Sequence, residues 1–237
     1  MSIGEILSDA LVYPINNIKA FIIFMILSIV GAVIGGTSII NIIGALSTTG
    51  WSSVAFSGLS IIGVVIFILI LFLISGYTLD IIKYGIERRN DSPGIDFGRQ
   101  VANAIKLIIV DIVYYIVPAI IIFVLGLFLR NWLMTIISII ILILFALANF
   151  MAKCKLAKTD SLGEALSIGE AIGDISRVGL GKLIATIILI LFIIIIIAII
   201  ITLISGINAT IGSILLGIAS VYILFFYNRA IGLLYSD

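Results

Sequence analysis

Asp111 is the one acid of this chain set within an apolar stretch, between Ile108-Ile109-Val110 and Ile112-Val113. A carboxylate surrounded by hydrocarbon is expensive, and such groups mark proton or ion pathways by default. A local alternative is Lys106, five residues earlier and about one and a half turns away on a helix. Near the headgroups, Asp111 would meet that lysine or snorkel to water. Pro118 and Gly126 follow on the same stretch, where a proline either frees backbone carbonyls to line a cavity or simply shapes helix packing. Lys83, Arg88, Arg89 and Lys106 border apolar stretches and are candidates to hold anionic lipid headgroups. Asp91, Asp96, Asp160 and Asp174 are oxygen donors of the kind a divalent ion takes, but their spacing matches no metal site. There is no His, which removes the side chain best suited to proton transfer near neutral pH and the commonest metal ligand. A nucleophile-with-base pattern and a phosphate-binding glycine loop are missing too; Gly179-Leu180-Gly181 has no strand before it. The single cysteine, Cys154, excludes an internal disulfide. Its neighbours Lys153 and Lys155 would favour the thiolate, and acylation is open to a cysteine at a membrane border.

These residues sit in a chain that is 63% hydrophobic and 11% charged, with a mean hydropathy of +1.42. A soluble domain is nearer half apolar and a quarter charged, so lipid must be the solvent here. Net charge is +1 and no run of Lys and Arg could follow a phosphate backbone, so nucleic acid is not an expected partner. Apolar runs predict transmembrane helices over 20–46, 56–80, 105–129, 132–152, 182–205 and 209–228. The fold class expected is therefore all-α: a single six-span bundle over 1–237. Glu5 and Asp9 occupy the region a signal peptide would make basic, so the first span is expected to be retained.

Twelve of the thirteen Lys and Arg residues, with eleven of the twelve acids, fall on one side of these spans. By the positive-inside rule both termini and segments 81–104 and 153–181 are cytoplasmic, in a multi-pass protein of the cell membrane. The opposite side is three short turns: 47–53 with Trp51, Arg130-Asn131-Trp132 holding the one stray cation, and 205–208.

The cytoplasmic segments repeat a pattern. Ser2-Ile3-Gly4-Glu5 recurs as Ser167-Ile168-Gly169-Glu170, with Asp9 matched by Asp174, and Ser161-Leu162-Gly163-Glu164 stands just before the second copy. Ser-x-x-Glu is the capping-box spacing, so Ser2, Glu5, Ser161, Glu164, Ser167 and Glu170 are expected to close helix starts. Apolar residues follow at helical spacing, and Asp96-Phe97-Gly98-Arg99 opens a third such segment with Arg99, Gln100 and Asn103 on its polar face. Each would be a short in-plane helix with its apolar face in the acyl boundary, preceding a transmembrane hairpin. Gly31 with Gly35, and Ser213 with Gly217, are small-residue pairs that let helices approach closely.

Gly76-Tyr77, Ile81-Ile82-Lys83-Tyr84-Gly85, Asn90-Asp91-Ser92-Pro93, Asp96-Phe97-Gly98 and Ala104-Ile105-Lys106-Leu107, with Tyr114-Tyr115 and Pro118 beyond, carry a resemblance. The chain resembles a family of polytopic prokaryotic membrane proteins, largely archaeal, catalogued as a domain of unknown function. The family's loop reads more like Asp-Glu-Leu-Pro-x-Phe-Asp, from which Gly94-Ile95-Asp96-Phe97 departs. The resemblance implies a multi-pass membrane fold and no particular activity.

The residues together favour a non-enzymatic protein without cofactor or metal, acting as a membrane-organising, lipid-interacting or accessory subunit. Its expected partners are the bilayer, anionic lipids, or a membrane or cytoplasmic protein. The alternative is a small transporter or channel with its polar point at Asp111.

Overall fold

In the computed structural model, which describes residues 1–48, 58–129 and 132–236, the described chain is helical almost throughout. In order, the helices are α1 (Ile3–Asn16), α2 (Ile18–Thr48), α3 (Gly58–Ile86), α4 (Phe97–Gly126), α5 (Trp132–Thr159), α6 (Leu162–Ala165), α7 (Ile168–Val178), α8 (Leu180–Ile207) and α9 (Ala209–Tyr235). Six of them, α2, α3, α4, α5, α8 and α9, are long and apolar enough to cross a membrane. The protein is thus an all-α, multi-pass membrane protein. Backbone groups in hydrocarbon must be satisfied within their own segment, so uninterrupted Ile- and Leu-rich runs have no stable alternative to helix. The turn containing Trp51 and the Arg130-Asn131 turn lie outside the described residues. In the remaining turn, Asn208 accepts a hydrogen bond from the Ile211 backbone at 3.1 Å and so starts α9.

On the charged side the helices outrun their predicted ends. α3 continues past 80 to Ile86, α4 starts at Phe97 instead of 105, α5 reaches Thr159 and α9 reaches Tyr235. Hydropathy falls where polar residues begin, but a helix persists as long as those residues find partners. α3, at 29 residues, spans about 44 Å, well over the roughly 30 Å of hydrocarbon it must cross. The third in-plane helix therefore does not exist as a separate element. Asp96 caps α4 by accepting from the Arg99 backbone at 3.0 Å, and the helix runs straight into the membrane. Its polar face is only partly turned to water: Arg99 is exposed, but Gln100 and Asn103 are buried, close to α3.

α3 is the axis of the bundle, packed by α2, α4, α5 and α9. Glycines make this crowding feasible. A Cβ on Gly76 would lie 1.8 Å from the Gln100 carbonyl oxygen of α4, and one on Gly232 of α9 would lie 2.3 Å from that of Ile82. On the other flank, Gly31 and Gly35 of α2 receive Phe67 and Ile70 of α3, so this small-residue pair works within the chain. Gly217 faces Ile29 more loosely, and the Ser213 side chain lies outside the described residues.

The two short amphipathic helices turn their apolar faces to protein, not to acyl chains. Ile6 and Ala10 of α1, with Ala171 and Ile175 of α7, enter the main core alongside Met151, Cys154 and Leu156 of α5. These faces find apolar side chains under the bundle, which bury them more completely than an interface would. Of the expected caps, Ser2 and Glu5 form the full reciprocal box. Ser161 accepts from the Glu164 backbone, but its own N–H donates to Thr159 instead of to Glu164. Ser167 makes no side-chain cap, and Glu170, the other half of the expected box, reaches across to Lys155 of α5. An interhelical ion pair stands where a local contact was expected.

Replacing Gly76 by Ala is expected to destabilise the protein by about 1–3 kcal/mol, the usual range for overpacking against backbone. Gly36→Ala, with nothing within 4 Å of the new methyl, should be neutral. Thermal unfolding of both variants in detergent checks the difference.

Candidate functional site

Polar and ionised side chains gather at the charged end of the bundle in three constellations. The deepest is built on Arg229 of α9, which is 1% exposed. Its Nε donates to Asp9 Oδ1 at 2.7 Å and its Nη2 to Asp9 Oδ2 at 3.3 Å, a bidentate pair joining α9 to α1. Nη1 donates to the Tyr84 and Arg89 carbonyls, and Nη2 also to Asn90 Oδ1 at 3.2 Å. The guanidinium plane sits 4.7 Å from the centre of the Tyr13 ring. Beneath it Tyr13, Phe24, Tyr77 and Phe225 form an aromatic layer in which Phe24 and Tyr77 stack at 4.1 Å. The segment after α3 is pinned from the same direction. Asn17 donates to the Asn90 carbonyl at 3.2 Å, Tyr13 to that of Asp91 at 3.4 Å, and Tyr77 to that of Pro93 at 3.2 Å. Burial raises the Tyr13 phenol above its ordinary range, so it stays a neutral donor.

The second constellation centres on Asp80, whose side chain is 9% exposed. Arg99 of α4 reaches its Oδ2 at 3.1 Å through Nη2, and Asn103, one turn on, donates to Oδ1 at 3.1 Å. Outside this pair a recess of about 210 Å³ is lined by Asp80, Lys83, Tyr84, Glu87, Arg89 and Arg99. Arg89 stacks 3.9 Å over the Tyr84 ring and is held by Asp91 at 2.6 Å. That guanidinium keeps the Asp91 carboxyl below the usual carboxylate range. The Lys83 side chain is exposed on the recess wall, where its charge acts on Asp80.

The third is the intramembrane acid. Asp111 meets neither Lys106 nor water alone: Lys153 of α5 lies 2.7 Å from its Oδ1, and Asn149 donates to the same oxygen at 2.8 Å. Lys106 goes instead to Asp160, at 2.6 Å. Asn149 and Lys153 line a cavity of about 390 Å³ among α3, α4, α5, α8 and α9, while Asp111 does not. Pro118, about two turns further along α4, is buried inside a helix that continues through it.

Of the four cations expected at headgroups, the structure brings Lys83 and Arg89 together around the recess. Arg88 stands apart, donating to Ser236 at 3.2 Å, and Lys106 is turned to Asp160. The acids weighed as metal ligands are dispersed: Asp91 with Arg89, Asp96 at the start of α4, Asp160 with Lys106, and Asp174 with Tyr235 and Arg177. Cys154 is fully buried and within 4.0 Å of the Ile231 carbonyl, so the flanking lysines do not make it a reactive border thiol. Sequence reasoning gave Asp80 and Arg229 no role of their own and read Arg99 and Asn103 as the solvent face of an in-plane helix, not as partners of Asp80. The available signal was the i, i+4 spacing of Arg99 and Asn103, which places two carboxylate-binding groups on one face.

A family model described as a protein of unknown function (DUF4013) matches residues 59–206, more than half of the chain, from α3 to α8. Comparisons with the curated proteins and with the solved structures find no match.

Arg229→Met leaves Asp9 and three oxygen acceptors without their donor, and breaking a buried pair of this kind costs about 3–5 kcal/mol. Asp9→Asn keeps the shape and one hydrogen-bond acceptor and should cost less, about 1–3 kcal/mol. Denaturation of the two single variants and the double variant in detergent should give a strongly non-additive cycle.

Proposed function

The chain belongs to the DUF4013 family, and from that premise we propose that it is a non-catalytic lipid-binding protein of the cell membrane. Both termini lie in the cytoplasm, and the charged end of the bundle holds anionic lipid headgroups. In this role it serves as a membrane-organising or accessory subunit. The observation that carries the reading is the recess of Lys83, Arg89 and Arg99. Three cations and two acids line it, leaving one net positive charge, and the Lys83 side chain is exposed at its edge. Arg99 is oriented by Asp80 and by the Gly94 carbonyl through Nε and Nη2, while its Nη1 takes part in neither contact. The cations stand where α3 and α4 leave the apolar stretch, the level at which phosphate groups lie. Twelve of thirteen basic residues on this side support its cytoplasmic placement.

The rival reading, a small transporter or channel, asks for a path that reaches Asp111. That carboxylate is answered by Lys153 and Asn149 and does not line the neighbouring cavity, so the geometry favours lipid binding.

Native mass spectrometry of the protein taken from nanodiscs of mixed phosphatidylglycerol and phosphatidylcholine tests the proposal. The wild type should retain phosphatidylglycerol, and Lys83→Gln with Arg89→Gln should weaken that retention. At about 1 kcal/mol per cation the expected loss is roughly thirtyfold. Lys158→Gln, a charge loss away from the recess, serves as control; equal losses from both variants would overturn the reading.

A further inference from the structure

A hollow separate from the headgroup recess opens between α1 and the segment that follows α3. Ser8, Asp9, Val12, Tyr13, Asn16 and Asn90 line it, and at about 430 Å³ it falls within the range of small-molecule sites. Behind its wall lies the Arg229 guanidinium, and that cation sets what the hollow presents. Nη2 donates both to Asp9 Oδ2 at 3.3 Å and to Asn90 Oδ1 at 3.2 Å, so one nitrogen holds the two side chains as neighbours.

With its oxygen fixed on a cation, the Asn90 amide cannot be turned over. Asn90 is exposed, and its Nδ2 is a donor with no acceptor among the described residues. The Asp9 side chain is 31% exposed. A carboxylate has about four lone-pair sites, and Arg229 takes one on each Asp9 oxygen. The wall therefore sets an acceptor beside a donor, both oriented before any ligand arrives. Asn16, also exposed, adds an amide with no side-chain hydrogen bond among the described residues.

Charge narrows the class of ligand. Asp9 is the one ionised residue on the wall, and Arg229 answers it at 2.7 Å. An anion would meet that carboxylate with no cation lining the hollow. A cation would compete with a guanidinium already in bidentate contact. An apolar group would strand the amides. An uncharged ligand with several hydroxyls meets every condition. A hydroxyl both donates and accepts, so two adjacent ones satisfy a carboxylate beside an amide, while Val12 meets the ligand's C–H face. Asn16 ends α1, and the membrane-spanning α2 begins two residues later at Ile18, with Val12 and Ile15 exposed alongside. The hollow thus stands at the mouth of a span, where lipid headgroups lie.

We propose that the hollow between α1 and the segment after α3 binds the vicinal diol of an uncharged sugar or polyol. One hydroxyl donates to Asp9, and its neighbour accepts from Asn90 Nδ2.

The test is native mass spectrometry of the whole protein from phosphatidylcholine nanodiscs, prepared with a detergent that carries no sugar. The probes are monoglucosyl dioleoylglycerol and, in competition, the same lipid with its sugar hydroxyls methylated. The wild type should prefer the free sugar hydroxyls by at least about tenfold, the range expected for a hydrogen bond to a charged group. Asn90→Asp keeps an oxygen on Arg229 but removes the donor, and should bring that preference to about one. Asn16→Trp fills the hollow from an exposed position, and should lower retention of the glucosyl lipid about tenfold while the melting temperature holds. It keeps the test decisive if Asn90→Asp does not fold. Displacement of the glucosyl lipid by excess methyl glucoside would support the proposal with a free sugar as the source, and resistance to displacement would support it with a glycolipid. Equal retention of the two lipids by the wild type would mean that water fills the hollow. Undiminished retention by Asn16→Trp would place the sugar elsewhere. Either of these overturns the proposal, and neither bears on the recess at Lys83, whose expected ligand is charged.

Discussion

Two backbones cannot approach closely while side chains stand between them, and at the charged end of this bundle α3 meets two neighbours at once. Gly76 lets α4 in against the Gln100 carbonyl, and Gly85 with Gly232 lets α9 in against the last turn of α3. Two of the three polar constellations depend on those notches. The first brings Arg99 and Asn103 level with Asp80, and the second brings Arg229 under the carbonyls of Tyr84 and Arg89. With helices held at ordinary spacing, these donors would fall short of their acceptors, and the ionised groups would be buried alone at several kcal/mol each.

Close packing also explains why the polar groups are divided as they are. Arg229 and Asp80 are enclosed by protein and completely engaged, which makes them structural. Lys83 and Arg89 lie close by but at the rim of the recess, where both are exposed. Such a distribution leaves a rigid end with a few cations exposed at its rim.

Much of this architecture was legible because it rests on composition within short windows. Runs such as Ile193 to Ile197 leave no reading except a membrane span, and the crowding of Lys and Arg to one side follows from counting. Ser2 and Glu5 were legible for the same reason: three residues apart, they need nothing else in order to meet. Ser167 and Glu170 share that spacing and form no box, and the carboxylate half goes to Lys155 of another helix, a charged partner. Asp111 drew attention because its neighbours are hydrocarbon, yet its partner was misread, since Lys153 lies 42 positions away and no local pattern records it. Asp80 and Arg229 were hidden by their position at the ends of apolar runs, where a charge usually means water. What burial makes of a border residue is decided by helices that arrive from far along the chain.

Asp9 and Arg229 are separated by 220 positions, and α1 with α9 encloses the segment that follows α3. A chain made from its N-terminal side places α1 at the membrane long before the arginine exists. Until α9 is inserted, Asp9 must stay hydrated, and the segment from Tyr84 to Asn90 lacks the cation that gathers its carbonyls. α9 is therefore a clasp: the helices before it are made in order of synthesis, and the end around Asp9 closes only when α9 arrives.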